Sequence, residues 1–78
     1  MALIRRFEHR PGGRVAFRTE VECGWRVGDA GGRKLLHLET YGSKERDIPG
    51  KVSQSLELDV NGARELQRIL RTAFPNLG

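Results

Sequence analysis

The sequence predicts an α+β fold: four antiparallel strands followed by one C-terminal helix, in the order β-β-β-β-α. Three observations predict it. Residues 15–27 alternate apolar and polar side chains, as a half-buried strand does. Short glycine or Pro-Gly breaks separate the alternating runs, at lengths that suit hairpins. At Asp59 the apolar period changes from two to between three and four, which is the stripe of an amphipathic helix. Such a helix lays its stripe on a sheet built upstream, so an antiparallel sheet with a helix on one face follows. The 78 residues make a single domain, 1–78. A chain this short buries a thin core, and pairing with a second copy is the simplest way to cover the other sheet face.

The elements follow in order. In residues 2–10, ALIRRFEHR, Leu3, Ile4 and Phe7 support a first strand; a basic arm over residues 1–20 is the other reading. Pro11, Gly12 and Gly13 make a turn. In the second strand Val15, Phe17, Thr19, Val21, Cys23, Trp25 and Val27 share one side. Ala16, Arg18, Glu20, Glu22, Gly24 and Arg26 share the other. The run exceeds the usual strand length, and Gly24 marks a bulge or bend that divides it. Residues 28–32, GDAGG, form the next turn, because glycine supplies positive φ; they lack the lysine and hydroxyl of a phosphate-binding loop.

Residues 34–41, KLLHLETY, form the third strand. Leu36, Leu38 and Thr40 take one face and Leu35, His37, Glu39 and Tyr41 the other, the pattern of a central strand. Residues 42–51 are a polar loop ending in Pro49-Gly50-Lys51. In the last strand Val52, Gln54, Leu56 and Leu58 alternate with Ser53, Ser55, Glu57 and Asp59. Asp59 stands where an N-cap belongs, its carboxylate placed to accept from the first free amides. The helix carries Ala63, Leu66, Ile69 and Leu70 on its apolar stripe and ends near Ala73 or Phe74, because Pro75 cannot continue it.

The formal charge is +4, and it is not spread evenly. Residues 1–34 hold eight basic side chains against four acidic ones, whereas residues 35–78 hold six of each. Arginine outnumbers lysine eleven to three, and arginine both forks onto phosphate and stacks on flat rings. A basic pole on a small domain points to a polyanionic partner. The single cysteine, Cys23, cannot form an internal disulfide and has no zinc-ligand neighbours, so a reducing, cytoplasmic compartment is expected, with nucleoid association in a bacterium. No apolar run reaches membrane-spanning length, and no signal-peptide core is expected at the N-terminus.

The run GGRKLLHLETYGSKERDIPGKVSQSLELDVNGARELQRIL resembles the C-terminal core of the positive-cofactor-four family. These are small single-stranded-DNA-binding transcriptional coactivators, related in fold to the Whirly proteins. The shared pattern is a strand ending in an aromatic residue at Tyr41, a polar loop, the Pro49-Gly50-Lys51 element, the strand SQSLELD, and a helix with apolar residues at Ala63, Leu66, Ile69 and Leu70. It extends over residues 21–72. The resemblance implies a strongly bent four-stranded sheet with the helix behind it, a homodimer, and single-stranded nucleic acid crossing the exposed sheet faces.

Single strands are held by cations that track phosphates and flat side chains that stack on bases. Trp25 is the candidate stacking platform, with core or dimer packing as its other reading; Tyr41 divides between the same two roles. The candidate phosphate contacts are Arg18, Arg26, Arg33, Lys34, Lys44, Arg46 and Lys51. Arg64, Arg68 and Arg71 ride the helix, on the far side. No catalytic constellation, metal site or cofactor motif is expected: His9 and His37 lack ligand-spaced neighbours, and His37 is expected to be a hydrogen-bonded structural residue. Glu20 and Glu22 are expected to pair with arginines. The expected activity is therefore non-enzymatic: binding of single-stranded DNA, or RNA, with little sequence preference, in transcription, replication or repair. No membrane and no small-molecule substrate are expected. The rival reading is a protein-interaction module that uses the same sheet or dimer surface without nucleic acid.

Overall fold

The computed structural model describes residues 2–16, 19–41 and 52–78. Among the described residues there are three strands and one helix: β1 (Cys23–Ala30), β2 (Arg33–Tyr41), β3 (Val52–Leu58) and α1 (Val60–Ala73). The strands form one antiparallel sheet in the order β1-β2-β3. The class is α+β, but the expected four-stranded β-β-β-β-α arrangement is incorrect. Two expected strand segments account for the difference. In residues 2–10 the backbone makes only an isolated parallel bridge, Leu3 beside Glu57, closed by Ile4 N–H to Glu57 O (2.9 Å) and Glu57 N–H to Ala2 O (2.7 Å). Of the long alternating run 15–27, the described residues are strand only from Cys23. Cys23 pairs with Thr40, and Tyr41 N–H still reaches Glu22 O at 3.4 Å. Among the described residues nothing pairs with residues 15, 16 and 19–21, and alternation without a ladder does not make a strand.

The β1–β2 hairpin closes on Gly31 and Gly32, whose φ values of +56° and +80° are the positive pair that a two-residue type I′ turn requires. From that turn the register is fixed without interruption from Ala30 opposite Arg33 to Cys23 opposite Thr40. Gly24 is therefore in register, not at a bulge. The irregularity falls instead between β2 and β3, at Thr40 and Tyr41, where Thr40 pairs with Gln54 and Tyr41 with Val52.

Asp59 caps α1 as its position predicts, accepting the Gly62 N–H on Oδ1 at 2.9 Å. The helix ends at Ala73, with the Phe74 N–H bonded to Leu70 O at 2.8 Å. The tightest packing lies where β3 enters α1. Leu58 is only 2% exposed, and the first helical turn approaches it through Gly62. A Cβ on Gly62 would stand 3.2 Å from Leu58 Cδ2 and 3.5 Å from Ile4 O, so glycine permits the close approach. Leu66 and Ile69 on the stripe are half-buried, whereas Val60, Leu70 and Phe74 are exposed. Among the described residues no helix is long and apolar enough to cross a membrane.

Candidate nucleic-acid interface

Side chains alternate across a strand, so the register sorts the sheet into rows on two faces. One face is apolar. Trp25, Leu38 and Leu56 form a row across β1, β2 and β3, and Val27, Leu36 and Leu58 form the next. Leu58 is sealed at the helix junction, but the row-mates become more open toward β1: Trp25 is 71% exposed and Val27 is also exposed. The indole thus stands on a leucine-lined sheet surface with its ring largely in solvent. Lys34 shares this face and pairs in register with Asp29 near the hairpin turn.

The opposite face is polar. Arg26, His37 and Glu57 form one row, and Gly24, Glu39 and Ser55 another. His37 is 5% exposed, and its two ring nitrogens address two carboxylates: Nδ1 lies 3.2 Å from Glu57 Oε2 and Nε2 lies 3.1 Å from Glu39 Oε2. An ionised carboxylate only accepts, so each contact needs the N–H on the ring nitrogen that faces it. Glu39 Oε1 also accepts the Tyr41 hydroxyl at 3.0 Å. These contacts hold the Glu39 carboxyl below its ordinary value, first through His37, then through Tyr41, with Arg26 nearby adding to them. The same bond to Glu39 raises the Tyr41 hydroxyl, and burial adds to it. Arg26 also lines a cleft of about 130 Å³ with Leu35, His37, Glu57 and the β1 residues Gly28, Asp29 and Ala30.

Arg33 leaves this surface for another task. Its guanidinium pairs with Asp59 Oδ2, joining the start of β2 to the helix cap. The Gly62 N–H is the main influence holding the Asp59 carboxyl below its usual value, and Arg33 reinforces it.

The candidate binding residues therefore do not share one surface. Trp25 and Lys34 belong to the apolar face; Arg26, Arg33 and Tyr41 belong to the polar one. Tyr41 is engaged with Glu39 and Arg33 with Asp59. Arg18, Lys44, Arg46 and Lys51 lie outside the described residues. Glu20 and Glu22 are exposed, and Arg64, Arg68 and Arg71 line exposed helix surface, with Arg68 3.8 Å from Glu65. Leu38, Leu56 and Val27 complete the Trp25 surface; the sequence carried that signal as a shared alternation phase, but placing them side by side needed the register. The buried His37 cluster had one sequence trace, the i, i+2 spacing of His37 and Glu39. Among the described residues no group of three or more His, Cys, Asp or Glu side chains is arranged to hold a metal ion. No family profile, curated protein or solved structure matches the chain.

Proposed function

We propose that this chain is a homodimeric single-stranded nucleic-acid-binding protein of low sequence specificity, favouring DNA and serving transcription, replication or repair. One observation carries the reading: Trp25 stands 71% exposed on an open sheet face, in a chain whose excess positive charge lies within its first 34 residues. An exposed indole on a rigid strand offers every base the same flat surface, which gives affinity without sequence choice. The excess basic charge of residues 1–34 supplies the phosphate attraction, and binding of that origin weakens steeply with salt. Fluorescence anisotropy with a labelled single-stranded oligonucleotide, its duplex and the matching RNA, across a salt series, tests this. Salt-dependent binding that prefers the single strand supports the proposal. Absence of binding at low salt removes it.

A second reading has its own observation. Around Trp25 the surface is formed by Val27, Leu38 and Leu56, and Lys34 and Asp29 on that face are opposite in sign. A leucine-and-valine surface of balanced charge also suits a protein partner. Flow-through on both heparin and single-stranded-DNA resin, with retention by a partner subunit, favours this reading.

A further inference from the structure

The two edges of the sheet are treated differently. The β3 edge is covered at Glu57 by the N-terminal residues Ala2 to Ile4, and its pairing with β2 is interrupted by the irregularity at Tyr41. The β1 edge has neither device. Among the described residues nothing pairs with its outer side, its register to β2 runs unbroken from Cys23 to Ala30, and every residue in it but Gly24 is exposed. It contains no proline and no lysine, and its only charged residues are Arg26 and Asp29, of opposite sign. A long regular edge of this kind is a template for another strand.

We infer that β1 pairs antiparallel with β1 of a second copy about a twofold axis at Val27, joining two sheets into one of six strands. This deepens the homodimer part of the function proposed above. The register follows from side-chain chemistry. A twofold perpendicular to the sheet places like faces together, so residues of the same parity must meet across it. Centring the axis on Arg26 would set two guanidinium groups directly opposite, which is destabilising. Centring it on Trp25 or on Gly28 leaves a shorter paired stretch. Centring it on Val27 pairs residues 24–30 of both copies: Val27 meets Val27, Arg26 meets Gly28, and Trp25 meets Asp29. Every Arg26 then faces a glycine, which leaves room for its stem. The apolar face becomes continuous across the axis, with Val27 at its centre and an indole on either side. The two Trp25 positions, four residues apart along neighbouring strands, stand roughly 14 Å from each other. The stacking surface is thus shared between copies, and one copy alone holds half of it.

Sedimentation equilibrium and cysteine cross-linking, both without nucleic acid, test the pairing. Wild type is expected to be a dimer at micromolar concentration. Val27→Lys, which places two ammonium groups on the axis, is expected to weaken dimerisation by at least about tenfold, with unchanged circular dichroism. In a Cys23→Ser background, Val27→Cys is expected to form an intermolecular disulfide on mild oxidation. Arg26→Cys is not, because its own copy lies diagonally, beyond disulfide reach. A monomeric wild type, a Val27→Lys dimer as tight as wild type, or cross-linking through position 26 instead of 27 would overturn the inference. The nucleic-acid reading fails separately: a Val27-centred dimer that binds no oligonucleotide retains the pairing and loses the proposed ligand.

Discussion

The ring of Tyr41 occupies the space that a side chain on Gly24 would need. An ideal Cβ built on Gly24 meets the Tyr41 hydroxyl and lies 3.2 Å from its Cζ and 3.4 Å from its Cε2. Gly24 sits opposite Glu39, and the phenol lies diagonally across it to donate to that same carboxylate. An aromatic ring laid over a cross-strand glycine restores the contact that the glycine cannot make for itself.

Gly24→Ala is expected to push the ring off Glu39 and destabilise the fold by about 1–3 kcal/mol, the usual range for overpacking. The ring end is flexible, so the sheet itself should survive. A double-mutant cycle with Tyr41→Ala checks the assignment: the alanine at position 24 should cost much less once the ring is gone. Equal costs in both backgrounds would mean that Tyr41 is not the obstacle.

His37→Ala is expected to be among the most damaging single changes in the sheet. It removes the donor between Glu39 and Glu57 and leaves two carboxylates facing the gap. Loss of a buried hydrogen-bonding partner costs about 1–3 kcal/mol, and repulsion adds to it. Chemical denaturation of the variant measures the loss. In Glu57→Gln the repulsion is relieved, so Glu57→Gln in the His37→Ala background should recover part of it.

Stability should fall at both ends of the pH scale. Glu39 and Asp59 have folded values depressed below 4.5 and 3.8. Each therefore contributes stability that is fully present above its unfolded value and is lost as pH falls through the folded one. Tyr41 is raised above 10.0, so its contribution is full below that pH and is lost as pH rises through the folded value. Urea midpoints measured from pH 7 down to pH 3 should drop through the carboxylate range. Glu39→Gln should flatten that acid limb, and an unchanged limb would exclude Glu39 as a contributor.

Asp59→Ala removes the cap on Gly62 and the partner of Arg33 at once. The melting temperature should fall by about 4–8 °C, with helical ellipticity reduced. Asp59→Asn can still cap the helix and should fall less. If Asn and Ala behave alike, the ion pair with Arg33 carries the effect and the cap does not.

Trp25→Ala separates binding from folding. The side chain is largely exposed, so the melt should change little. If the indole stacks on bases, affinity for single-stranded DNA should fall about 5- to 150-fold, the equivalent of one stacked base. Lost folding instead of lost binding would identify Trp25 as a packing residue.

Local chemistry was legible in the sequence. The period change at Asp59, its capping role, the stop before Pro75 and the presence of a turn within residues 28–32 all depend on residues close together in the chain, although the turn takes only Gly31 and Gly32 and residues 28–30 belong to β1. So does the alternation that put Trp25 and Val27 on one face and Arg26 on the other. What was misread is the amount of sheet. Residues 15, 16 and 19–22 belong to the same alternating run as residues 23–27, but among the described residues only the second stretch is strand, laddered to β2. Alternation shows that a segment suits an edge of a sheet; it does not show whether a partner lies beside it. His37 gives the same lesson at the site. Its donor and acceptor capacity and its spacing to Glu39 were visible in the sequence, but its second carboxylate was not, because Glu57 lies on another strand.

The sequence by itself determined the helix and its cap, the hairpin turn, the phase of each strand and the one-sided distribution of charge, because these follow from neighbouring residues and their periods. Only the tertiary structure decided which of the expected segments pair as strands, the rows that place Leu38 and Leu56 beside Trp25, the His37 cluster, and which sheet edge is left unpaired among the described residues. Those depend on register, and register is set by the balance of pairing between segments distant in the chain, where no local pattern of residues records the outcome.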